Sequence, residues 1–126
     1  MRKLIRDRVP AIMAVNNQPC RYHVADPSEH RDRLIDKLSE EAAELRAAHT
    51  SAAVTGELAD LLEVVYALAD HAELDRAALE RARAAKHAER GGFTRRLVWH
   101  GPESNLTRGR TDPDSYPERH QEGIDR

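Results

Sequence analysis

Two long stretches of leucine and valine at helical spacing, joined by a short connection, most constrain how this chain folds. A helix turns by about 100° per residue, so each stretch places three apolar side chains within about 40° of one another. They are Leu34, Leu38 and Leu45 in the first stretch, and Val54, Leu58 and Val65 in the second. Because the connection is short, we expect the two helices to pack antiparallel.

Residues that begin and end helices predict four of them. In "DPSE", Asp26 is a capping residue, Pro27 suits the first helical position and Glu29 completes a capping box, so a long helix is expected to run to about residue 49. The others are a short helix in "RDRVPAIMAVNN", a third from about 52 to 72 behind Thr50 or Ser51, and a fourth between Asp75 and Gly91.

The rest of the chain carries weaker signals. The segment "FTRRLVW" has some strand character, although a short extended arm explains it equally well. From Gly101 the sequence is polar and holds Pro and Gly, which is typical of a flexible tail. We therefore expect an all-α bundle of about four helices as one domain over residues 1–100, followed by a tail over 101–126.

Composition argues against several classes of protein. The chain has 126 residues and a net charge of −2, from 20 basic and 22 acidic residues, so no nucleic-acid polymer is expected as a partner. A single cysteine, Cys20, excludes an internal disulfide and a thiolate metal cluster. No apolar run approaches the roughly 20 residues of a membrane span, and the first residues lack a signal-peptide core. We expect no membrane partner and a cytoplasmic location.

Acidic residues occupy unusual positions on the two long helices. On the wheel, Glu41 lies on the core stripe next to the leucines of the first helix, Glu57 lies on the apolar stripe of the second, and Asp60 lies at the edge of that stripe. Glu63 points away. Glu41 and Glu44, like Glu57 and Asp60, are three residues apart, so each pair shares a helix face.

Four carboxylates that face each other across a hairpin would repel, and their burial without partners would be expensive. A divalent cation removes both problems, and oxygen ligands favour Mg²⁺ first and Mn²⁺ next. Two other readings stay open: a salt bridge from Glu41 or Glu57 to an arginine of another helix, or a merely solvated face for residues such as Glu40. A di-iron site is disfavoured because its Glu-x-x-His pattern is missing.

The acidic pattern resembles a known signature. "EEAAE", a gap of twelve residues and "ELAD" are similar to the EExxE…ExxD motif of the MazG-like, all-α NTP pyrophosphohydrolases. "KLIRDRVP" at 3–10 resembles the opening of a phosphoribosyl-ATP pyrophosphohydrolase-like subgroup, and "KHAERGGF" at 86–93 resembles the segment after its last core helix. The resemblance covers about residues 3 to 99.

This resemblance implies Mg²⁺-dependent hydrolysis of a nucleoside triphosphate to a monophosphate and pyrophosphate by a homodimer or homotetramer. It implies Glu41, Glu44, Glu57 and Asp60 as metal ligands. Glu40 and Glu41 are the candidate catalytic residues, with Glu40 expected to orient or deprotonate the attacking water.

Cations are also needed to hold the phosphate chain. Those in or near the family-like stretches are the candidates, although most of the 20 Lys and Arg residues are expected to be surface solubilisers. The candidates are Lys3, Arg6, Lys37, Lys86 and Arg90.

Three functions stay open at this point. The first is an NTP pyrophosphohydrolase, with house-cleaning of noncanonical nucleotides as one role. The second is phosphoribosyl-ATP pyrophosphohydrolase of histidine biosynthesis, which uses the same metal chemistry on another substrate. The third is a helical binding or regulatory protein without catalysis, against which the five intact carboxylates argue.

Overall fold

The computed structural model describes residues 2–103, which contain four α-helices. They are α1 (Val9–Val15), α2 (Pro27–Ala47), α3 (Ser51–His71) and α4 (Arg76–Arg90). No strand occurs within this described part of the chain, so the predicted all-α class with four helices is confirmed. The strand character of "FTRRLVW" is not realised, since a turn closes there with Arg96 N donating to Phe93 O at 3.1 Å. The predicted tail lies outside the described residues from position 104 onward.

Side-chain caps begin the three longer helices at the expected residues. Asp26 accepts a hydrogen bond from Glu29 N at 2.8 Å, and Thr50 and Asp75 cap α3 and α4 in the same way. In a full capping box the Glu29 carboxylate would also accept from the backbone N–H of Asp26. Here that carboxylate binds His23 and Arg33 instead. At the other end of α4, Gly91 has a φ of 82°, the left-handed conformation that commonly terminates a helix.

Helices α2 and α3 form an antiparallel hairpin and are the pair that packs together among the described helices. A hydrogen bond joins the start of α2 to the end of α3, where His71 Nε2 lies 3.0 Å from the carbonyl oxygen of Pro27. Leu34, Val64 and Ala69 are the buried apolar residues of the described chain, and Glu41 is buried with them. The antiparallel arrangement expected from the short connection is therefore present.

One expectation about packing fails. Leu58 was expected on the buried stripe of α3, yet it is 51% exposed, and Leu62 on the next turn is 48% exposed. The physical reason is that two helices cover only the strip between them, and both leucines lie on the edge of that strip away from Glu57. Ile35 occupies the corresponding edge of α2 and is also exposed. We call Ile35, Leu58 and Leu62 the apolar face.

The chain divides into two compact units, one up to Ala85 and one from Lys86 onward, and α4 crosses the boundary. The carboxylate residues all belong to the first unit. The domain boundary expected at residue 100 stays a prediction. None of the described helices has the length and apolar character that crossing a membrane requires.

Candidate metal centre

Three glutamates from two helices converge at one point of the hairpin. Glu41 and Glu44 lie one turn apart on α2, and Glu57 meets them from α3 because the hairpin folds back. One carboxylate oxygen of each lies within 4.8 Å of the other two. This spacing permits a single cation to contact all three side chains.

Two oxygens of this cluster are buried without a hydrogen-bond partner. Glu41 is only 8% exposed, and neither its Oε2 nor Oε2 of Glu57 has a partner among the described residues. The salt-bridge alternative required an arginine at these two oxygens, and none of the described arginines binds them. A buried polar atom left unpaired costs free energy, on the order of 1–3 kcal/mol and more when charged. The cluster is therefore short of positive charge.

The charge imbalance also acts on the protonation of Glu57. Burial, hydrogen bonding to Glu41 and the charge of Glu44 together raise the pKa of the Glu57 carboxyl to about 7, with burial the largest cause. Burial penalises the charged form, and two neighbouring carboxylates add repulsion. A proton on Glu57, or a cation beside it, would reduce this repulsion.

Asp60 lies outside the group of three. It is one turn beyond Glu57 on α3, and its Oδ1 accepts a hydrogen bond of 2.7 Å from Arg6 Nη2. The sequence assigned Arg6 to phosphate and Asp60 to the metal, whereas in this structure they bind each other. Both assignments stay predictions.

Glu40 sits beside the cluster and is bound by two lysines. Lys37 Nζ lies 3.3 Å from Glu40 Oε1, and Lys3 Nζ lies 3.6 Å from the same oxygen. Lys37 is the more buried of the two lysines. This carboxylate is held at the rim of the site, where its role as a base stays a prediction.

The first residues of the chain reach this site from outside the hairpin. We call residues 2–6 the N-terminal strap. Besides Lys3 and Arg6, it is held through the Arg2 carbonyl oxygen, which accepts from Arg33 Nη1 at 3.1 Å. Arg33 is not among the predicted site residues, because nothing local to it signals a partner 31 positions away.

The other two candidate cations, Lys86 and Arg90, lie in the last turns of α4 and in the second unit. Lys86 is exposed, and Arg90 Nε lies 3.9 Å from Glu89 Oε1. Phosphate binding by either residue stays a prediction.

The residues present fit a divalent cation. Glu41, Glu44 and Glu57 offer oxygen donors only, two of their oxygens lack partners, and their negative charges are close together. Oxygen-only donors suit a hard ion of the Mg²⁺, Mn²⁺ or Ca²⁺ type.

A helical hairpin that carries paired carboxylates on both arms defines the class of the MazG-like, all-α pyrophosphohydrolases. The family model of Phosphoribosyl-ATP pyrophosphohydrolase matches residues 12–87, and the chain belongs to that family. The match contains all five carboxylates, and it begins after the N-terminal strap. The chain is thus a hydrolase that acts on phosphorus-containing anhydrides, as its resemblance implied. Searches of curated proteins and of solved structures found no match.

Proposed function

We propose that this protein is a Mg²⁺-dependent nucleoside triphosphate pyrophosphohydrolase, which converts NTP and water to NMP and pyrophosphate. One observation carries the proposal: three convergent carboxylates with two unpartnered buried oxygens, in a chain of a pyrophosphohydrolase family. A substrate with a chain of phosphates brings its own Mg²⁺, which such a site can bind.

Glu41, Glu44, Glu57 and Asp60 are the proposed ligands of the metal, with Mn²⁺ as a substitute for Mg²⁺. Once bound, the cation supplies charge that neutralises phosphate oxygens and lowers the pKa of a water molecule. The oxygen-only donor set supports Mg²⁺ over the softer transition metals.

The chain's own residues orient the water and the phosphates. Glu40 is proposed to take a proton from the attacking water, whose oxygen bonds to phosphorus as the anhydride bond between the α- and β-phosphates breaks. Pyrophosphate then leaves with the electron pair of that bond. Lys3 and Lys37, which hold Glu40, are also within reach of the rim where phosphate oxygens would lie. Arg6, Lys86 and Arg90 are the further proposed phosphate contacts.

The working unit is proposed to be a homodimer or homotetramer. The hairpin buries three apolar side chains in the described chain and leaves the apolar face in water. Covering that face with a second hairpin would supply the core that one hairpin lacks. A cytoplasmic location also stays a prediction.

Phosphoribosyl-ATP is the second candidate substrate, because the matched family is described by that substrate. The metal chemistry would be the same, because the bond broken is again a phosphate anhydride. House-cleaning of noncanonical nucleotides is the role we propose if ordinary or damaged nucleoside triphosphates are the substrates.

The test is release of pyrophosphate from a panel of nucleoside triphosphates, and separately from phosphoribosyl-ATP, in the presence of Mg²⁺. Glu41→Gln should lower the rate by more than about 100-fold, since even an outer partner of a metal ligand is typically worth roughly 10–100-fold. Glu63→Gln is the matched control, because Glu63 is exposed on the same hairpin and should change the rate little. Hydrolysis of phosphoribosyl-ATP alone would favour the second candidate. No pyrophosphate from any substrate would refute both.

A further inference from the structure

The N-terminal strap ties the two arms of the hairpin together at the rim of the carboxylate cluster. Two of its contacts are to α2 and one is to α3. They are Arg33 Nη1 to Arg2 O at 3.1 Å, Lys3 Nζ to Glu40 Oε1 at 3.6 Å, and Arg6 Nη2 to Asp60 Oδ1 at 2.7 Å. Each of these three contacts is polar and lies at a site that is rich in negative charge, while Leu4 and Ile5 of the strap are half-buried.

Arg6 makes the shortest of these contacts, and both partners of this contact are exposed to solvent. The side chains of Arg6 and Asp60 are 59% and 41% exposed, so water and salt screen their attraction. Exposed ion pairs of this kind are typically weak. A stronger competitor for either partner can therefore separate them without a large loss of stability.

Asp60 has such a competitor. It lies one turn from Glu57, whose carboxylate belongs to the cluster, and the two residues share a face of α3. Arg6 pairs with Asp60, whereas Glu41 and Glu57 each keep a buried oxygen without a partner in the described part of the chain. A divalent ion bound beside Glu57 would attract Asp60 and repel the guanidinium.

We propose that Arg6 is a positioning residue that changes partners during binding. Without metal it pairs with Asp60. When a divalent cation and a pyrophosphate group bind, Asp60 turns to the cation, and Arg6 moves to a phosphate oxygen and brings the strap over the substrate. The inference rests on the proposed function, because it takes Asp60 as a metal ligand.

This exchange has an unusual thermodynamic signature. Arg6 must oppose the binding of the cation alone, because the ion has to displace it from Asp60. It must favour the binding of pyrophosphate in the presence of the cation, because it then gains a charge-assisted hydrogen bond to a phosphate oxygen. A residue that merely supports Asp60 would favour both events.

The experiment is calorimetric titration of the full chain, first with Mg²⁺ alone and then with inorganic pyrophosphate at saturating Mg²⁺. Arg6→Gln should tighten Mg²⁺ binding by about threefold, the scale of a weak exposed pair. It should weaken pyrophosphate binding by about tenfold, the scale of a charge-assisted hydrogen bond. Arg8→Gln removes the same charge two residues along, and it should show neither opposed shift. Arg6→Lys keeps the charge and should restore most of both affinities.

A second variant shows whether Asp60 is the partner that matters. In an Asp60→Asn background, Arg6→Gln should no longer tighten Mg²⁺ binding. If Arg6→Gln fails to fold, Arg6→Ala also removes the guanidinium from an exposed side chain and should give the same two opposed shifts.

Three results would overturn the proposal: weaker binding of both ligands by Arg6→Gln, shifts equal to those of Arg8→Gln, or no Mg²⁺ binding by the unaltered protein. Failure of the proposed function looks different. If no nucleotide releases pyrophosphate but the opposed shifts are present, the partner exchange stands and only the substrate assignment falls.

Discussion

At the scale of single residues, Glu57 makes the metal-free protein sensitive to pH. Its pKa is raised from 4.5 to about 7 in the folded protein, mainly through burial and then through Glu41 and Glu44. Between these two pH values the folded protein binds more protons than the unfolded chain. The free energy of unfolding must therefore fall as pH rises from about 4.5 to about 7 and change little above that.

Urea denaturation at a series of pH values, with a chelator present, measures this loss of stability. Glu57→Gln removes the titrating group and should flatten the decline between pH 4.5 and 7. Glu63→Gln, an exposed glutamate on the same helix, should leave the decline in place. An equal decline in the unaltered protein and in Glu57→Gln would show that burial of this carboxyl is not its cause.

The same carboxyl links metal binding to protons. A cation that binds Glu57 has to displace the proton held there below about pH 7, so affinity for Mg²⁺ should rise with pH and level off above that value. Calorimetry in buffers of different ionisation enthalpy should report a proton released at pH 6 and almost none at pH 8. Release of the proton at pH 6 should vanish in Glu57→Gln. Proton uptake on binding would contradict the linkage.

Residue patterns predicted part of the candidate site for a clear physical reason. Helical periodicity alone indicated that Glu41 and Glu57 lie toward the buried side, and each has a buried oxygen in the structure. The bond between Arg6 and Asp60 joins residues 54 positions apart. No local rule says where residues 2–6 cross the hairpin, so the sequence could not predict this pair.

At the scale of elements, the caps decide where the two helices that carry the carboxylate cluster begin. Asp26 satisfies the amide of Glu29 at the start of α2, and Asp26→Ala should lower the free energy of unfolding by about 1 kcal/mol. Asp32→Ala is the matched control, because Asp32 is an exposed residue within the same helix and caps nothing. Urea denaturation at neutral pH measures both. Equal losses in the two variants would mean that capping is not what Asp26 contributes.

Helix ends were predicted within about two residues because capping and termination are local chemistry. Thr50 and Asp75 accept hydrogen bonds from Ala53 N and Ala78 N, as their positions indicated. The segment after Gly92 was ambiguous for the opposite reason. A strand needs a neighbouring strand to hydrogen-bond with, and the described residues offer none.

At the scale of the whole molecule, the hairpin has too few buried side chains for its length. The apolar stripe of α3 predicted that Leu58 would be buried within the hairpin. Such a stripe shows which side chains are apolar, but it does not show which element or subunit covers them. Of the two sides of the hairpin, one carries carboxylates and the strap, and the other carries the apolar face. We expect a second copy of the chain on that second side, which leaves the acidic side open to substrate.

Leu58→Glu together with Leu62→Glu tests this assembly. Two charges on the apolar face should resist burial against another subunit and shift the protein toward monomer, because an unpaired buried carboxylate is costly. Sedimentation equilibrium would measure the mass, with Ala52→Glu, an exposed residue in the first turn of α3, as the matched control. Activity per chain should fall with the mass, since the isolated hairpin would hold the cluster less rigidly. A protein that is monomeric before any substitution, or a variant that keeps the full oligomer mass, would show that a second copy does not cover the apolar face.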